Sequence, residues 1–276
     1  MTTTVGLLGV GQMSAAFAPL LVKKGYRVIA WNRSPEPLRR IATAGVDATA
    51  SPREVFAADV ILSTLFDDAA VRAVILDGGL LGANDDRPRV HACCSTISPE
   101  LSRELAAAHR GIHYVAAPMV GRPPAVAAGK LAWLVSGAPE AVALARPVLA
   151  ASGIVHEMGA TPHAAHVAKI ATNFMLGAMV EGLAEASGLV AWGAGDGSTK
   201  AFVDFVAQAA SPILQTYAPL FYADRKPGTP SPLAMARTAQ ARAIMLKDNG
   251  LAIAIAADAG ESLPLGALLR DLVQRA

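Results

Sequence analysis

The sequence predicts an α/β half, a long connecting helix and an all-helical half. Three observations predict it. From Val5 to about Thr161 short apolar runs alternate with helical stretches. From Pro162 to about Trp192 runs one segment of apolar and small residues with no internal proline. Beyond that segment no strand pattern appears. Strand–helix alternation with near-continuous apolar strands makes a mostly parallel sheet covered on both faces. The expected domains are therefore 1–161 and 162–276.

Each element has its own local reason. Val5-Gly6-Leu7-Leu8 is the first strand, and Gln12 to Lys24 a helix closed by Gly25. Arg27 to Trp31 is the second strand. Asp59 to Ser63, Val90 to Cys94, His113 to Val115 and Leu131 to Val135 repeat the strand pattern at similar spacing. Pro52 to Ala57, Asp67 to Leu76, Pro99 to His109 and Pro139 to Ala150 fill the gaps as helices. Pro162 suits the first turn of the long helix, because its missing N–H would be unpaired there anyway. Thr199 to Ala209, Pro212 to Phe221, Pro232 to Ala259 and Leu265 to Gln274 complete the helical half. That half is rich in Ala and small side chains. Packing against a second copy would bury its apolar faces, so a homodimer through the helical domain is expected.

Composition excludes several classes. A chain of 276 residues fits one or two domains. With 53% hydrophobic and 17% charged residues it is not a disordered chain. The 24 Lys+Arg nearly cancel the 22 Asp+Glu, which advertises neither nucleic acid nor an anionic membrane surface. The long apolar segment carries Lys169, Glu181 and Glu185, so it is not a membrane span. Met1-Thr2-Thr3-Thr4 has no basic segment, and a cytoplasmic protein is expected. Cys93 and Cys94 are adjacent in an apolar run and are expected to be reduced and buried.

Gly9-Val10-Gly11-Gln12-Met13-Ser14 lies between the first strand and the first helix. This is the G-x-G-x-x-G/A pattern with Ser in the third place. The first Gly allows a tight turn, and the second lets backbone approach a pyrophosphate at the helix N-terminus. Strand before and helix after are the context the motif needs. Gly9, Val10, Gly11, Gln12 and Met13 are thus candidate dinucleotide ligands, and the first half is expected to be of Rossmann type. The second strand ends Trp31-Asn32-Arg33-Ser34, with no carboxylate until Glu36. An NAD site would place Asp or Glu there to accept from the ribose 2′-OH. Arg33 instead offers a guanidinium fork to a 2′-phosphate, with neutral donors from Asn32 and Ser34. A solvated surface Arg would look the same in sequence. The reading is NADP(H).

Four further motifs follow: Ser95-Thr96-Ile97-Ser98-Pro99, Ala116-Ala117-Pro118-Met119-Val120-Gly121-Arg122-Pro123, Lys169-Ile170-Ala171-Thr172-Asn173, and Met245-Leu246-Lys247-Asp248-Asn249-Gly250-Leu251-Ala252. Ser98 before Pro99 also reads as a plain N-cap. Lys169 and Asn173 share one helix face. An amine beside an amide on an otherwise apolar helix points to chemistry, although Lys169 could also snorkel to water. Lys247 and Asp248 could equally form a solvated ion pair on a surface helix.

Together, from Gly9 to the C-terminal helices, these motifs resemble the β-hydroxyacid dehydrogenase family. That family includes 3-hydroxyisobutyrate dehydrogenase and the glyoxylate and semialdehyde reductases, and is related to imine reductases. The resemblance implies that Lys169 is the general acid/base and that Asn173 orients it or the substrate. It implies cofactor contacts from Leu65, Phe66, Thr96 and Lys247, and substrate contacts from Ser95, Met119, Val120, Gly121, Arg122, Asn173 and Asp248. The substrate loop departs from the family's D-A-P-V-S-G-G. Ala116 replaces the acid, Val120 the Ser that helps hold a carboxylate, and Arg122 the last Gly. Hence three readings are weighed. One is an NADP-dependent oxidoreductase of a 3-hydroxy acid or semialdehyde. Another is a reductase of imines or uncharged ketones, which Val120 favours and Lys169 opposes. The third is a non-catalytic NADP-binding protein. The decarboxylating 6-phosphogluconate dehydrogenases share the cofactor motif and the K-x-x-x-N pattern, on much longer chains. His163 and His166 precede Lys169 by two turns and one turn, and His166 is placed near nicotinamide or substrate. No metal is expected.

Overall fold

The N-terminal apolar run forms β1 (Thr4–Leu8), which pairs in parallel with β2 (Arg27–Trp31) on one side and β4 (Val60–Ser63) on the other. The computed structural model describes residues 2–82, 87–194, 196–210, 239–258 and 263–275. The other strands are β3 (Asp47–Ala48), β5 (Val90–Cys93), β6 (His113–Ala116), β7 (Met119–Val120), β8 (Leu131–Gly137) and β9 (Gly153–Glu157). Their order is β3-β2-β1-β4-β5-β6-β8-β7, with β9 beside β8. The chain winds outward from β1 to β3, then restarts at β4 on the other flank of β1. The loop after β1 therefore opens at a topological switch point, where α/β sheets bind ligands.

Consecutive residues of each strand enter opposite cores, as the pleat demands. Leu7, Leu62, Ala92 and Val115 pack with Phe17 and Leu21 of α1 (Gln12–Lys23) and with Val148 and Leu149 of α7 (Pro139–Ala150). Leu8, Ile61, Cys93 and Tyr114 face the other side, with Val55, Ile75, Leu101, Leu105 and Ala165. That second face is covered by α3 (Pro52–Phe56), by α4 (Asp68–Val71, continued by a π-helical turn Arg72–Leu76) and by α5 (Pro99–Ala108), together with the first turn of α8 (Ala164–Ala194). Burial on both sides is why these strands read as continuous apolar runs. α2 (Glu36–Ala42) and α6 (Pro123–Ala127) are short connectors.

β3, β7 and β9 were not expected from sequence. β9 is a parallel partner of β8 with exposed Ile154 and His156, so its apolar alternation is broken. Its pairing depends on Gly153, where an added Cβ would lie 2.1 Å from the Leu131 carbonyl oxygen. The sheet is parallel through β6. It turns antiparallel at β8, because the β7–β8 hairpin reverses the chain.

By compactness the chain divides into Met1–Lys169 and Ile170–Ala276, a junction inside α8, while the change of composition falls at Pro162. The second unit holds the rest of α8, α9 (Thr199–Ala210), α10 (Ala239–Asp258) and α11 (Pro264–Gln274). Val180, Leu183, Val203, Ala207, Leu269 and Val273 form its core. The helix expected over Pro212 to Phe221 lies outside the described residues, as does the start of the one expected from Pro232. Among the described residues the second unit has no strand, and no helix is long and apolar enough to cross a membrane.

Candidate active site

The loop after β1 is built around two glycines with different tasks. Gly9 has φ +96°, and an added Cβ would sit 2.8 Å from the Thr64 carbonyl oxygen, so only glycine fits. Gly11 is extended, and a Cβ there would meet nothing within 4 Å. That open space, at the N-terminus of α1, suits the close approach of a phosphate. The first turn of α1 carries no acidic residue to neutralise the helix dipole. Ser14 explains its departure from the motif. It is buried, its Oγ accepts from the Gly11 N–H at 3.0 Å, and it lies 3.1 Å from the Gly9 carbonyl and 2.9 Å from Thr64 Oγ1. Thr64 donates to the Gly9 carbonyl at 2.7 Å. Val10 is buried, Met13 packs on the core, and Gln12 is exposed.

The Asn32 amide is committed to the loop itself. Its Oδ1 accepts from the Val10 N–H at 3.0 Å, and its Nδ2 donates to the Ser34 carbonyl at 2.9 Å and to Ser34 Oγ at 3.1 Å. Asn32 thus ties the glycine loop to the end of β2 and shapes the turn that presents Arg33 and Ser34, both exposed.

The ends of β4 and β5 are laced together. The Leu65 N–H donates to Ser95 Oγ at 2.8 Å, and Ser95 is buried. Phe66 is 47% exposed and Thr96 half-buried. Ser98 caps α5 through the Leu101 N–H, while its own N–H donates to Asp68 at 3.0 Å. Thr64 and Asp68 escaped the sequence reading. Their only signal was position just past a strand.

In the segment after β6, Met119 and Val120 pair with Trp133 and Ala132 of β8 and pack into opposite cores. Gly121 has φ +144°, and an added Cβ would lie 3.0 Å from Leu131 Cδ1. Arg122 is exposed just before α6. Lys169 and Asn173 lie half-buried one turn apart on α8. The Asn173 amide donates to the Asp248 carboxylate, and Lys247 Nζ lies 3.0 Å from the other oxygen of that carboxylate. Asp248 is only 6% exposed, so the Lys247–Asp248 pair is not a solvated surface pair.

Residues 4–159 match the family described as the NAD binding domain of 6-phosphogluconate dehydrogenase. A 3-hydroxyisobutyrate dehydrogenase of Pseudomonas aeruginosa is 35% identical over 280 residues, covering 98% of this chain and 91% of its own. The chain belongs to the β-hydroxyacid dehydrogenase family. A 3-hydroxyisobutyrate dehydrogenase of Mycobacterium tuberculosis, solved with L-serine, superposes with a TM-score of 0.80 at 29% identity, over 100% of this chain and 94% of that one. An imine reductase from Pseudomonas sp. shares the fold, with a TM-score of 0.64 at 19% identity over 99% and 93% of the two chains. This β-hydroxyacid dehydrogenase is an NAD(P)-dependent oxidoreductase of CH–OH groups.

Behind the site, the β-hydroxyacid dehydrogenase carries a buried polar cluster that sequence reading did not foresee. His91 stacks on His109 with ring centroids 5.1 Å apart, and their ring nitrogens lie 3.0 Å apart. His91 Nε2 is 2.8 Å from Ser63 Oγ. Burial pushes His109 down to about 4 and His91 well below its ordinary value, so both are neutral. Burial also pushes the Cys93 thiol up to about 11, which makes it inert. His166 is fully buried in this cluster, 3.4 Å from the Tyr114 hydroxyl, rather than exposed toward a ligand.

Proposed function

We propose that this β-hydroxyacid dehydrogenase transfers hydride between NADP(H) and a small 3-hydroxy acid or the matching semialdehyde, with Lys169 as general acid/base. The observation that carries the reading is the Lys169–Asn173 pair on one face of α8, with the Asn173 amide fixed by buried Asp248. When bound, the nicotinamide supplies or accepts the hydride. Lys169 gives a proton to the developing alkoxide in reduction and takes it from the hydroxyl in oxidation. Asn173 orients the reacting oxygen.

On the cofactor side, Gly9 to Met13 cradle the pyrophosphate, and Leu65, Phe66 and Thr96 flank the nicotinamide half. NADP is favoured because β2 ends without a carboxylate and presents exposed Arg33 beside Ser34. Ser34 Oγ accepts from Asn32, which leaves its own proton to give to a phosphate oxygen. Residues 1–161 are read as the NADP-binding domain, and 162–276 as the substrate and dimerisation domain. Exposed Met175, Phe205, Ile244 and Leu268 on the helical unit support a homodimer, which light scattering would test. The two buried free thiols fit a cytoplasmic enzyme.

One observation favours a second reading. Val120 offers no hydrogen bond and packs against an apolar core, which suits an imine or an uncharged ketone. NADPH consumption against glyoxylate, succinic semialdehyde, an uncharged bulky ketone and a cyclic imine separates the two. Turnover of a carboxylated aldehyde that Lys169→Ala abolishes supports the main reading, with Arg122 in place of the missing Ser. Turnover of only the imine or ketone overturns it.

A further inference from the structure

The N–H groups of a helix's first turn have no partners within the helix. In α8 the sheet supplies one. The Ala165 N–H donates to Ser136 Oγ of β8 at 2.9 Å, and Ser136 is fully buried. The Pro162 carbonyl, just before the helix, takes two hydroxyls at 3.3 Å each: Ser136 from β8 and Ser102 from α5. Ser102 Oγ is also 2.9 Å from the Tyr114 hydroxyl of β6, which lies 3.4 Å from His166 Nε2 back on the first turn of α8. Three separate elements thus converge on one helical turn.

Proton counting gives this cluster a consistent direction. Ser136 and Ser102 each spend their single proton on the Pro162 carbonyl. Tyr114 then donates to Ser102, and His166 donates from Nε2 to Tyr114. Each of these contacts then pairs one donor with one acceptor, and none of them needs a charge. A directional buried hydrogen-bond network selects one geometry more sharply than apolar packing does. Lys169 lies one turn beyond His166 on the same rigid helix, about 4.5 Å along its axis.

We propose that Tyr114 and His166 are positioning residues, which with Ser102 and Ser136 lock the first turn of α8 to the sheet and so set where the Lys169 amine stands. The inference rests on the reading of Lys169 as the acid/base. Displacing a catalytic group by about 1 Å can cost up to about a hundredfold in rate.

The test uses the whole protein with 3-hydroxyisobutyrate and NADP⁺ as probes. Tyr114→Phe keeps the ring and removes the hydroxyl, and His166→Leu removes the ring nitrogens. His166→Gln restores a donor near the Nε2 position. Both removals are expected to lower kcat about tenfold while KM and cofactor affinity stay near those of the parent, and His166→Gln to recover most of the loss. Both should also change the rate at which the Lys169 amine is acylated without substrate, read by mass spectrometry. If His166→Leu does not fold, Ser102→Ala takes its place; if the probe does not turn over, the labelling rate decides. A fall in melting temperature with parental kcat and labelling would overturn the lock. Lys169→Ala, run alongside, separates the two failures. Turnover that survives it removes Lys169 from the mechanism and the inference with it. Turnover that it abolishes while Tyr114→Phe and His166→Leu run at the parental rate removes the lock alone.

Discussion

The side-chain amide of Asn173 donates a hydrogen bond to the carboxylate of Asp248, 75 residues further along the chain. The same carboxylate lies 3.0 Å from the Lys247 amine. One buried acid therefore fixes an amide on α8 and balances a cation on its own helix. Asp248→Ala removes this contact from both partners. It is expected to cost about 3 kcal/mol in urea unfolding, the scale for breaking a buried pair on one side, and to lower kcat as Asn173 loses its anchor. Parental stability would mean that the pair is not held as described.

Lys169→Ala is expected to cut turnover by about two to four orders of magnitude, the usual contribution of a general acid/base. Cofactor affinity, followed by nicotinamide fluorescence, should hardly change. Undiminished turnover would return Lys169 to the role of a snorkelling helix residue.

Arg33→Ala is expected to weaken NADPH binding about tenfold or more, the value of a hydrogen bond to a charged group. NADH binding should stay the same, because that cofactor has no 2′-phosphate. Equal affinities for the two cofactors in the parent enzyme would contradict the NADP reading.

The two glycines should separate stability from binding. Gly9→Ala places a Cβ 2.8 Å from backbone at φ +96°, so it should lower the melting temperature and abolish cofactor binding. Gly11→Ala adds a methyl to open space, so folding should survive while binding weakens. A Gly11→Ala protein that binds like the parent would show that nothing approaches the loop there.

Acid should destabilise the fold through the buried histidines. His109 falls from 6.5 to about 4 in the folded state, chiefly by burial, and the Leu105 carbonyl only partly offsets this. Between those values the unfolded chain binds the extra proton and the folded chain does not. Stability is therefore full above about pH 6.5 and drains as pH falls toward about 4, by roughly 3 kcal/mol for this one group. Urea midpoints at pH 7.5 and 4.5 would show it. A His109→Gln protein should lose less over that interval, and an equal loss would clear His109 of the effect.

Much of the first unit was legible because its signals are local. Strands buried on both faces leave continuous apolar runs, and a glycine turn between strand and helix leaves Gly9 and Gly11 at fixed spacing. β9 was not legible, because an edge strand with exposed Ile154 and His156 breaks the alternation that marks a strand. Asn32 was read as a phosphate donor from its position. Its amide proved committed to Val10 and Ser34, which only the folded loop could reveal.

The sequence by itself determined the alternation of buried strands with helices, the glycine turn and the family, since each depends on residues a few positions apart. The tertiary structure alone decided that Thr64 and Ser14 pin Gly9, that Asp248 holds Asn173, and that His166 faces Tyr114 in the core. These are hydrogen bonds between side chains brought together by folding, and hydrogen bonding is directional. Composition and periodicity report which residues are buried, but not which donor meets which acceptor.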